Sequence, residues 1–100
     1  MERQTYVVTG ASRGLGRALA LALANDSHAV LALARPSSEL DEIGKLLASI
    51  AHGSRSIECD LSDPSSIANA ASIIMDQTSF LAGVVHNAGA IAPVKPLDKV

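Results

Sequence analysis

Residues 9–16 read Thr-Gly-Ala-Ser-Arg-Gly-Leu-Gly, set between the apolar run Tyr6-Val7-Val8 and a long Ala/Leu stretch that begins at Ala18. Glycines at 10, 14 and 16 remove the Cβ atoms that would hold a backbone away from a bulky anion. A helix starting there turns its unpaired N–H groups and positive dipole end toward that anion. Such a turn seats the pyrophosphate of a dinucleotide, and Ser12, Arg13 and Leu15 belong to the same seat. The plainer alternative is a tight turn whose glycines serve packing alone. Dinucleotide folds that select NAD carry an acid at the end of the second strand, where NADP instead requires positive charge for its 2′-phosphate. Here that position holds Ala34, followed by Arg35, and Arg13 lies in the glycine turn facing the same pocket. Charge-assisted hydrogen bonds contribute about 1.5–3 kcal/mol each, so two arginines would favour NADP by roughly one to three powers of ten. A pair of solvated surface arginines is the competing reading.

The elements that must position these residues alternate regularly. Thr5–Thr9 is a short β-branched and apolar run. Leu15, Leu19, Ala22 and Leu23 then recur at helical spacing, up to the breakers Asn25, Asp26 and Ser27. Ala29–Ala34 is continuously apolar, as a strand buried on both faces should be, and Arg35-Pro36 ends it. Ser37 or Ser38 caps a second helix with an apolar stripe of Leu40, Ile43, Leu47 and Ile50 and a stop at Gly53. Gly44 in its interior costs about 1 kcal/mol relative to Ala. Residues 56–59 form a third strand. Asp63-Pro64 starts a third helix with Ile67, Ala71 and Ile74 as its buried face. Residues 81–86 form a fourth strand. This order predicts an α/β fold, a partial doubly wound, Rossmann-like parallel sheet of strand order 3-2-1-4 with helices on both faces. Leu81, Val84 and Val85 would leave an apolar edge on the fourth strand, where a fifth strand is expected or where copies of the chain could associate.

The chain has 100 residues, 48% of them hydrophobic, with Tyr6 and Phe80 as its aromatics, which suits one α/β unit with a thin core. A net charge of −2 without any Lys/Arg cluster argues against nucleic acid or an anionic membrane as a partner. Asn25, Asp26, Ser27 and His28 interrupt the apolar stretch 18–34, so it is too short to span a bilayer. No signal peptide is visible, and a cytoplasmic location is expected. The single cysteine, Cys59, reads as a buried small hydrophobe, and with His28, His52 and His86 it shows no metal-ligand spacing.

The glycine spacing, Thr-Gly-x-x-x-Gly-x-Gly, differs from G-x-G-x-x-G and resembles that of the short-chain dehydrogenases and reductases. Two further segments resemble that family in place and order. Asp60-Leu61 follows the third strand, where the resemblance implies that Asp60 contacts the adenine amino group and Leu61 lies beside the ring. Asn87-Ala88-Gly89 follows the fourth strand, where it implies residues that steady the sheet and border the cofactor. Read without the family, Asp60 is equally a solvated acid or a local turn acceptor. His86 stands where the family usually has a second Asn, and it reads as a core histidine with one satisfied nitrogen. The His-Asn-Ala-Gly segment and the proline-bearing tail resemble the fungal benzil and sepiapterin reductase relatives.

The family reduces carbonyls or oxidises alcohols with a Tyr-x-x-x-Lys pair. The one tyrosine here is Tyr6, and four residues on stands Gly10. The chain is therefore expected to be the NADP(H)-binding, amino-terminal half of such an oxidoreductase, residues 1–100 of a longer domain. A small carbonyl or alcohol substrate is expected only if the chain continues. The alternatives are a non-catalytic nucleotide-binding or docking module, and an inactive truncated fragment.

Overall fold

A computed structural model of the chain describes residues 4–86. Its elements are β1 (Thr5–Thr9), α1 (Gly14–Asn25), β2 (Ala29–Ala34), α2 (Ser38–Ile50), β3 (Arg55–Glu58), α3 (Pro64–Gln77) and β4 (Gly83–Val85). The strands form one parallel sheet in the order β3-β2-β1-β4, the expected topology. Central β2 pairs with β1 from Thr5↔Ala29 to Thr9↔Leu33 and with β3 from Leu31↔Arg55 to Ala34↔Glu58. Being flanked on both edges and covered on both faces, it is buried from Ala29 to Leu33, which is why its sequence is continuously apolar.

Alternating side chains of the strands feed two cores. Val8, Val30 and Ala32 pack beneath α1 and α2 with Ala20, Ala24, Leu40, Ile43 and Leu47. Val7, Leu31, Leu33, Ile57 and Cys59 meet Ala70 of α3 on the opposite face. Cys59 is buried and free, as its reading as a small hydrophobe expects.

The helix faces differ in detail from the expected stripes. The buried seam of α1 is Gly16, Ala20 and Ala24, while Leu15 is 65% exposed and Leu19 and Leu23 are half-buried. Small residues on the seam let the helix axis approach the sheet, and the leucines spread to the flanks. In α3 the inward residues are Ala70, Ile73 and Ile74; Ile67 and Ala71 are exposed, so the face is turned from the one expected. Ile50 ends α2 half-exposed, at the helix terminus beyond the sheet. The third strand is Arg55–Glu58 and the fourth is the short Gly83–Val85, narrower than the run 81–86. Val84 is 59% exposed on β4, which pairs only with β1 among the described residues.

Helix starts follow the capping residues. Ser37 Oγ accepts from Leu40 N–H at 3.0 Å, and Asp63 Oδ1 accepts from Ser65 N–H at 3.0 Å with Pro64 at the first helical position. Removing the first of these with Ser37→Ala should cost about 1 kcal/mol of stability in a denaturant titration. No described helix is long and apolar enough to cross a membrane.

Candidate functional site

The carboxyl ends of β1, β2 and β3 open into a groove of ≈ 570 Å³. Of the residues singled out from the sequence, Gly10, Ser12, Arg13, Arg35 and Leu61 line it. Its remaining walls are Thr9, Leu33, Ala34, Cys59 and Ser62. Thr9 opens the glycine motif and Ala34 holds the position read for the absent acid; Leu33, Cys59 and Ser62 belong to no motif, but all five stand at or just beyond a strand's carboxyl end, where open α/β sheets bind ligands. The element pattern therefore held the signal for them.

The glycine turn has the backbone its composition implies. Gly10 and Gly14 take φ of 64° and 65°, values that a side chain would disfavour. The Ala11 N–H donates to the Leu33 carbonyl at 3.3 Å and ties the turn to the end of β2. A Cβ built on Gly14 would meet nothing within 4 Å, so the turn leaves open space there. Gly16 is buried in the first turn of α1, and Leu15 projects to solvent.

No side chain caps α1, whose N-cap is Arg13, and its first turn carries no acid. Ser37 and Asp63 supply that cap in α2 and α3. The N–H groups and positive dipole end of α1 are thus left to an anion at the glycine turn, and the donor set fits a pyrophosphate.

Asp60 follows β3 as a turn residue. Its Oδ1 accepts from Ser62 Oγ–H at 2.6 Å and Ser62 N–H at 2.9 Å, while its own N–H donates to Ser66 Oγ at 2.8 Å. Arg35 Nε lies 3.7 Å from the same Oδ1. The Ser62 hydroxyl first, then the Ser62 amide, hold the Asp60 carboxyl below the usual carboxylate range; burial opposes them, and the Arg35 charge adds the smallest contribution in their favour. The turn-acceptor reading of Asp60 is thus realised. An acid also stands beside Arg35, although β2 itself ends without one.

His86 is exposed rather than a core residue, because β4 stops at Val85 and leaves it beyond the sheet edge. Its Nδ1 is 3.0 Å from Thr9 Oγ1, joining the carboxyl ends of β4 and β1. Asn87, Ala88 and Gly89 lie outside the described residues. No group of three or more potential metal ligands occurs among the described residues.

Residues 4–100 match the model of the short chain dehydrogenase family. An uncharacterised oxidoreductase of Mycobacterium tuberculosis is 33% identical over 93 residues, covering 93% of this chain and 35% of the relative. The NADPH-dependent pterin aldehyde reductase of Arabidopsis thaliana is 35% identical over 88 residues, covering 88% and 36%. Among solved structures, a metagenomic short-chain oxidoreductase in complex with NADP aligns with a TM-score of 0.78 at 32% identity, over 97% of this chain and 44% of its own. An alcohol dehydrogenase from the archaeon Thermococcus sibiricus complexed with 5-hydroxy-NADP aligns with a TM-score of 0.74 at 29% identity, over 83% and 36%. The chain thus spans about a third of the length of these curated relatives, 35% and 36%. The Thr-Gly-x-x-x-Gly-x-Gly turn, the parallel sheet of order 3-2-1-4 and the family match agree: this chain belongs to the short-chain dehydrogenase family.

Proposed function

We propose that this chain is the NADP(H)-binding, amino-terminal part of an oxidoreductase that reduces a carbonyl or oxidises an alcohol. The observation that carries the reading is the meeting of Arg13 and Arg35 in one groove with the uncapped start of α1. The helix end and the glycine turn would hold the pyrophosphate, Arg13 and Arg35 the 2′-phosphate, and Leu61 the adenine face. Asn87, Ala88 and Gly89 would border the cofactor, as the family resemblance implies.

The nicotinamide ring, when bound, supplies hydride transfer. The chain's own residues bind and orient the cofactor, and the acid–base chemistry belongs to residues outside it. Support also comes from the relatives: the plant reductase is NADPH-dependent by name, and the metagenomic structure contains NADP.

Calorimetric titration of the protein with NADP+ and NAD+ tests the reading. NADP+ should bind at least about tenfold tighter, the effect of one charge-assisted hydrogen bond. Equal binding of the two, or tighter binding of NAD+, would overturn it.

A further inference from the structure

The charge that would meet a 2′-phosphate is not free-standing. Among the described residues the only ion pair of Arg35 is with Asp60, at 3.7 Å. The Asp60 oxygen in that pair is pinned by two donors from Ser62, whereas the Arg35 side chain is 76% exposed. The fixed member is the acid, and the adjustable member is the arginine. The two also face different spaces. Arg35 lines the glycine-turn groove, while Asp60 lines an adjoining groove of ≈ 530 Å³ with Pro36, Ser66 and Asn69, and Cys59 borders both.

We propose that Asp60 is a specificity-determining residue that acts through Arg35. Its carboxylate draws on the guanidinium that would meet a 2′-phosphate, and so sets how strongly the groove prefers a 2′-phosphorylated adenosine to an unphosphorylated one. The inference rests on the NADP reading above and deepens it. Adenine, ribose and pyrophosphate are common to NADP and NAD, so any contact of Asp60 with the shared part cancels in the ratio of their affinities. What remains is the 2′-phosphate and the arginine that faces it. An exposed pair of this kind is screened by water, which keeps the effect moderate and sensitive to salt.

The test is the ratio of NAD+ to NADP+ dissociation constants for the protein and for Asp60→Asn, which keeps an acceptor oxygen for Ser62. The ratio should rise about three- to tenfold, the scale of one charge interaction at about 4 Å near a surface. The rise should shrink toward unity at about 0.5 M NaCl, where the Debye length falls to a few ångströms. In an Arg35→Ala background the same substitution should change the ratio less than about twofold, because the coupled partner is gone. An unchanged ratio in Asp60→Asn, or an equal rise with and without Arg35, would overturn the proposal. Asp60→Ser, which also removes the charge and leaves an acceptor, provides the same reading should the Asn variant fail to fold. Failure of the NADP reading itself shows separately, as NAD+ binding at least as tightly as NADP+ to the unsubstituted protein.

Discussion

Arg35→Asp is expected to reverse the cofactor preference, making NAD+ the tighter ligand. Arg35 is the residue just past β2, on the wall of the groove, and no acid precedes it at Ala34. Loss of its guanidinium would remove the charge-assisted contact proposed for a 2′-phosphate, worth about 1.5–3 kcal/mol. The new carboxylate adds repulsion of about 1 kcal/mol at a solvated separation near 4 Å. Together these shift the NADP+ to NAD+ affinity ratio by roughly two to three powers of ten, at 1.4 kcal/mol per tenfold. NAD+ itself should bind nearly as before, since its ribose hydroxyls can donate to a carboxylate at the end of β2. Asp60 bounds that gain, because the substitution replaces the positive charge now 3.7 Å from its carboxylate with a second negative one nearby. Titration of both dinucleotides reads the ratio directly. Persistence of tighter NADP+ binding in Arg35→Asp would assign the 2′-phosphate contact elsewhere, to Arg13 alone or to residues beyond the described chain.

The sequence and the structure agree most closely where backbone chemistry decides the outcome. A continuous apolar β2, the Ser37 cap, Asp63-Pro64 and the glycine turn are local features, and each element stands where its local signal puts it. Strand order followed from the handedness of parallel crossovers, which leaves few arrangements for a strict alternation of strand and helix. Side-chain facing was harder to read. In α1 the leucines carry the larger hydrophobicity, yet the alanines face the sheet, because close approach rewards small volume over apolar area. The Arg35–Asp60 pair was also hidden. The residues are 25 positions apart in sequence (60 − 35), and only the β2–β3 register, which sets Ala34 against Glu58, brings the two strand ends together. For His86 the determining fact is where β4 stops, and a run of apolar residues marks a strand's end poorly.

Gly44 shows the same limit with the opposite sign. By helix propensity alone, Gly44→Ala should stabilise α2 by about 1 kcal/mol. The packing of α2 on β3 reverses that expectation. A Cβ on Gly44 would stand 2.7 Å from both Cβ and Oγ of Ser56 and 3.1 Å from the Ser56 backbone nitrogen. The Ser56 hydroxyl can rotate away, but its Cβ and amide belong to β3, which is held to β2 through Ala32↔Ser56. Relief therefore requires the helix or the strand to move, and overpacking of this kind costs about 1–3 kcal/mol. Gly44→Ala should lower stability by up to about 2 kcal/mol in a denaturant titration after the propensity gain is subtracted. Gly44→Val, with a branched Cβ and poorer helix propensity, should cost about 3 kcal/mol or more. Ser56→Gly removes two of the three opposing atoms, so combined with Gly44→Ala it should recover most of the loss, a non-additivity expected only of residues in contact. A Gly44→Ala variant more stable than the parent would mean that α2 sits farther from β3 than these distances state. The groove would register the same strain, since β3 leads directly into Cys59, Asp60, Leu61 and Ser62, three of which line it. A strand displaced by a methyl group on α2 would carry Asp60, the proposed counter-charge of Arg35, with it, so Gly44→Ala should also perturb the groove.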